Sequence, residues 1–103
     1  MDNIKVVTIC GSMKFKEKML QIAEELELKN GYAVLQVVFI NENNNYSEKE
    51  LERIGSLHLK RIEISDAIYV VNVGGYIGES TRREIEYAKK LHKEILSLEP
   101  LNY

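Results

Sequence analysis

The chain has 103 residues and a formal charge of −2, from 14 Lys and Arg against 16 Asp and Glu. With 45% hydrophobic and 29% charged residues it excludes a disordered chain, and its charge excludes bulk attraction to nucleic acid or an anionic membrane. The single Cys10 excludes an internal disulfide framework and a Cys-based zinc cage within one chain, no apolar run nears the ~18 residues of a spanning helix, and the opening MDNIKVVTICGS lacks a charged-then-apolar signal layout, so a one-domain cytoplasmic protein is expected.

Residues 4–10 (IKVVTIC) form a near-continuous run rich in β-branched side chains, bounded by Gly11 and Ser12. Such a run predicts a strand buried on both faces, as in a parallel sheet. Residues 14–29 carry Phe15, Met19, Ile22, Ala23 and Leu26 at helical spacing, and Asn30 and Gly31 supply a helix stop. Residues 32–40 (YAVLQVVFI) predict a second strand, followed by a polar loop at residues 41–46. Ser47 and Glu50 read as a capping box opening a helix to about Ser65, with Leu51, Ile54, His58 and Ile62 on one stripe.

Residues 67–73 (AIYVVNV) predict a third strand, with a glycine-rich turn after it at Gly74, Gly75 and Gly78. A third helix is expected from Thr81 to about His92 and a short fourth strand over residues 94–98. The order β-α-β-α-β-α-β predicts a three-layer α/β/α domain, Rossmann- or flavodoxin-like, with about four parallel strands and three helices. About that many elements fill a chain of this length. An enclosed pocket would then need residues 41–46 or a second subunit to complete it.

In open parallel sheets, ligands bind beyond the carboxyl ends of the strands. The turns carrying Gly11 and Ser12, and Gly74, Gly75 and Gly78, fall at that edge. Their backbone N–H groups suit phosphate or another anion, or the glycines serve only tight turns. Ser80, Glu84, Tyr87 and Leu91 share one face of the third helix, whereas Glu86 is about 200° around the helix from Glu84. Glu84 has two readings. It is a carboxylate able to attack a sugar carbon, or the partner of Thr81 in a second capping box. His58 is likewise an acid/base group or a packed histidine on an apolar stripe. Asp66 reads as structural, at the edge opposite the pocket. Cys10 reads as a small buried hydrophobe. Lys14, Arg82 and Arg83 sit near the anion-binding turns, and Tyr46 and Tyr76 can stack on a base or cover the core. His58 and His92 are too few and too separated to argue for a metal, and no cofactor is implied.

Three segments together resemble the nucleoside 2-deoxyribosyltransferase family and its nucleoside 5′-monophosphate N-glycosidase relatives. They are Ile9-Cys10-Gly11-Ser12, the strand beginning at Asp66, and Glu84-Ile85-Glu86-Tyr87-Ala88. The resemblance implies cleavage of an N-glycosidic bond with Glu84 as nucleophile. It implies Ser12 and Ser80 as phosphate contacts and a homodimer that completes its pockets across subunits. The sequence departs from the family pattern at His58, which stands where an aspartate is typical, and at Glu86, where glycine is frequent. A non-catalytic nucleotide-sensing module with the same fold is the alternative.

Overall fold

The computed structural model describes residues 3–41 and 43–101. The β-branched run forms β1 (Val6–Gly11), whose interior is fully buried. Its side chains alternate between two layers, as the strand period of two requires. Val7 and Ile9 pack against α1 (Lys16–Leu28) through Met19, Ile22 and Leu26. Cys10 faces the other way, into a cluster with Ile62, Ile68, Val70, Ile85 and Ala88. That second layer holds α2 (Glu48–Ile64) and α3 (Glu79–Lys90).

Among the described residues the sheet has four parallel strands in the order β2-β1-β3-β4. The remaining strands are β2 (Ala33–Leu35), β3 (Ala67–Val71) and β4 (Glu94–Ser97). The expected α/β/α class and strand count are therefore found. The chain winds outward from β1 in both directions, so the sheet reverses between β1 and β3. The carboxyl ends of those two strands frame a crevice, the usual ligand position in such sheets.

Two elements differ from expectation. The second strand stops at Leu35, because β2 is an edge strand whose pairing to β1 covers only Ala33, Val34 and Leu35. The first helix is preceded by a 3-10 turn at Met13–Phe15, capped by the Ser12 side chain, which accepts from the Lys14 amide.

The helix signals are explicit. Ser47 caps α2 and Glu50 reaches back to its amide, so that capping box is complete. Gly31, at φ +70°, takes the left-handed position after α1. Asp66 is structural, as expected: its carboxylate accepts from the Val6 amide at 2.8 Å, and its own amide donates to the Val6 carbonyl. The buried hydroxyls of Thr8 and Ser65 both reach the Arg61 carbonyl at the end of α2. These contacts fix α2 against the sheet, and with it His58.

Candidate functional site

A cavity of about 450 Å³ opens at the crevice, within the size range of small-molecule sites. Gly11, Ser12 and Met13 form one wall, at the end of β1. Gly78, Glu79, Ser80, Thr81 and Glu84 form another, at the start of α3. Val37, Leu51, Ile54, Gly55 and His58 close the apolar side. Of the sequence-derived candidates, the fold brings Gly11, Ser12, His58, Gly78, Ser80 and Glu84 together here. Gly74 and Gly75 are not in the lining, and the Gly74 amide donates to the Glu99 carboxylate instead.

The start of α3 decides the position of Glu84. Gly78 is the N-cap, in extended conformation and with no side-chain cap. The helix therefore begins at Glu79, two residues earlier than expected. Thr81 lies inside the first turn and is buried, and Glu84 falls in the second turn. The Thr81–Glu84 capping box does not form. The amides of Glu79, Ser80 and Thr81 belong to the first turn, where helix amides lack partners within the helix, and they border the cavity.

The Glu84 carboxylate instead meets His58 Nε2 at 3.9 Å, and His58 Nε2 lies 3.9 Å from Cys10 Sγ. These three ligating atoms all fall within 4.8 Å of one another. Arg61 Nη1 approaches the other ring nitrogen, Nδ1, at 3.4 Å. A guanidinium only donates, so Nδ1 accepts and the ring proton sits on Nε2, facing Cys10 and Glu84.

Burial controls the electrostatics. It pushes Glu84 up to about 7, against a downward pull from the Cys10 hydrogen bond and the Arg83 charge. Burial, then the Arg61 charge, lowers His58 to about 4, while a hydrogen bond to the Ile9 backbone opposes this. His58 is therefore a neutral N–H donor near neutral pH. Burial also raises the Cys10 thiol, and the Glu84 carboxylate raises it further.

The other candidates have clear positions. Tyr46 does not line the cavity; its hydroxyl accepts from the Asn41 amide and the Asn44 side chain, tying the 41–46 loop together. Glu42, within that loop, lies outside the described residues. The cavity wall expected from this loop is supplied by α2. Tyr76 packs edge-on against Phe15, and Lys14 Nζ sits 3.4 Å from the Tyr76 ring centroid. Arg83 pairs with Glu79 at 3.4 Å. Sequence reasoning missed the joining of Cys10 to His58 and Glu84. The visible signals were Cys10 at the strand end and His58 on the apolar stripe of α2.

No family model matches the chain, and no curated protein matches it. Among solved structures, a conserved protein from Enterococcus faecalis V583 has the same fold, with a TM-score of 0.65 at 10% identity. The likeness is one of fold. The match covers 92% of this chain and 63% of that protein, so this chain spans less than two thirds of its length. Among the described residues, no helix is long and apolar enough to cross a membrane.

Proposed function

We propose that the chain cleaves the N-glycosidic bond of a nucleoside or nucleoside 5′-monophosphate, with Glu84 as nucleophile. One observation carries the reading: a mostly buried carboxylate faces the cavity at the switch point of the sheet, beside a neutral histidine. Two of the three short motifs resembling the deoxyribosyltransferase family reach that same cavity, one through Gly11 and Ser12 and the other through Glu84.

In this mechanism an oxygen of ionised Glu84 attacks C1′ of the sugar. The C1′–N bond breaks, its electron pair leaves with the base, which takes a proton from water, and a glycosyl ester forms on Glu84. Water, or a second base, then takes the sugar from the ester. Two displacements retain the configuration at C1′. His58 stands beside the carboxylate, with Nε2 3.9 Å from it, near enough to contact it once the substrate is seated. Ser12, Ser80 and the first amides of α3 bind the sugar or its 5′-phosphate, where the helix dipole favours negative charge. Val37, Leu51 and Ile54 offer the apolar surface for the base.

A homodimer belongs to the same proposal. Leu51 borders the cavity and is 46% exposed, and Leu57 and Ile64, one heptad apart on α2, are 51% and 59% exposed. A second copy would cover this apolar surface and close the open side.

Incubation with a panel of nucleosides and 5′-monophosphates, with free base followed by chromatography, tests the activity. Base release should fall about 10³-fold or more in Glu84→Gln, as for loss of a nucleophile. Ligand binding without base release, unchanged in Glu84→Gln, would instead identify a sensing module.

A further inference from the structure

We propose that Cys10, His58 and Glu84 form a zinc site, in which Sγ, Nε2 and a carboxylate oxygen close on one Zn²⁺ and leave its fourth position open to the cavity. The inference stands on these three side chains and does not need the glycosidase reading.

The donor set comes first. Thiolate, imidazole and carboxylate are the three protein ligand types zinc takes, and three of them with one open position is the arrangement of an accessible centre. The geometry comes second. With bonds of ~2.0–2.3 Å, adjacent ligands of a tetrahedral zinc stand roughly 3.3–3.8 Å apart. Two of the three edges here are 3.9 Å, and all lie within 4.8 Å. Small side-chain rotations close the set. The ligands also stand on three different elements, β1, α2 and α3, held by one core cluster that includes Cys10, Ile62 and Ile85. That scaffold fixes the ligand spacing.

Charge points the same way. Among the described residues the cavity lining contains no Lys or Arg, yet it holds Glu84 and Glu79, the latter paired with Arg83. The Arg83 charge reaches Glu84 from outside this lining, and a divalent ion would neutralise the carboxylate by direct contact. Binding displaces the Cys10 thiol proton to solvent, and the carboxyl proton from whatever fraction of Glu84 carries one.

Arg61 limits the affinity. Zinc on Nε2 requires the ring proton to move to Nδ1, toward the guanidinium 3.4 Å away. Arg61 must swing aside, so the site binds more weakly than a closed structural centre. Occupancy also has a consequence for the site. Glu84 cannot give the same electron pair to Zn²⁺ and to a sugar carbon, so the zinc form is inhibited in any reaction that uses Glu84 as nucleophile.

The test is titration of the metal-free full chain with Co²⁺, which reports ligand type by absorption, followed by competition with Zn²⁺. Cys10 is the only cysteine, so a thiolate-to-cobalt band in the unaltered protein assigns Sγ as a ligand without any variant. The expected result is that band at one equivalent, bleached by one equivalent of Zn²⁺. His58→Asn and Glu84→Gln should each weaken Zn²⁺ binding at least about tenfold, with Glu94→Gln unchanged. A cobalt spectrum without the thiolate band overturns the site. So does zinc affinity that is the same in folded His58→Asn, Glu84→Gln and the unaltered chain. If base release is observed, Zn²⁺ should abolish it and a chelator restore it. If no base release is observed, the metal titration still decides this inference, separately from the glycosidase reading.

Discussion

Glu84 illustrates how much a two-residue change in a helix start matters. Read from sequence, it is either a carboxylate able to attack a sugar carbon or the capping-box partner of Thr81. With Gly78 as N-cap, that partner lies inside the helix and the carboxylate faces the cavity. The phase of α3 was legible: Thr81, Ile85 and Ala88 face the core, and Glu86 is exposed. Its first residue was not, because Gly78, Ser80 and Thr81 all accept an N-cap position and the choice is made by tertiary packing. His58 was visible on the apolar stripe of α2. Its pairing with Cys10 was invisible, because nothing local relates the end of β1 to the middle of a helix far along the chain.

Gly11 carries the most direct steric prediction at this scale. A Cβ there would meet the Val71 carbonyl oxygen at 3.2 Å, Val71 Cβ at 3.3 Å and Met19 Sδ at 3.5 Å. Gly11→Ala should cost about 1–3 kcal/mol, the usual range for overpacking. Urea denaturation checks it. A midpoint equal to that of the unaltered chain would mean that β1 and β3 can separate freely at the crevice.

At the scale of elements, α2 depends on its first turn. Ser47→Ala removes the side-chain acceptor for the Glu50 amide and should cost about 1 kcal/mol. The same box gives a pH signature. The hydrogen bond from the Ser47 backbone, and then that from its side chain, hold Glu50 below its ordinary value of 4.5. Its contribution is therefore fully present above pH 4.5 and is lost as pH falls through the lower folded-state value. Between pH 6 and pH 3 the melting temperature of the unaltered chain should fall further than that of Glu50→Gln, which keeps the reciprocal contact without a titrating group. Equal falls in both would show that the box does not respond to protonation. Both halves of this box were plain in the sequence. The length of β2 was not, since an apolar run reads alike whether one neighbour or two complete the ladder, and among the described residues β2 has only β1.

For the whole molecule, alternation of strands and helices placed the candidate turns at the carboxyl ends of the strands; the strand order that puts the crevice between β1 and β3 is seen only in the fold, and the cavity is there. Its apolar wall was harder to read. The expectation that a short chain must close a pocket with residues 41–46 or a second subunit overlooked α2, which lines one side with Leu51, Ile54, Gly55 and His58. The open side leads to the dimer prediction. Sedimentation velocity should give twice the 11.9 kDa chain mass, and Leu57→Glu should shift the population to monomer. A monomer at every concentration would leave the cavity to be closed by its ligand alone.

The central claim is that Glu84 bonds to the sugar. A rapid acid quench during turnover of a cleaved nucleoside or 5′-monophosphate, followed by peptide mass spectrometry, tests it most directly. The account predicts a peptide containing Glu84 that is heavier by one glycosyl unit, absent in Glu84→Gln. Base release that continues at full rate in Glu84→Gln, or a sugar adduct on any other residue, would contradict it.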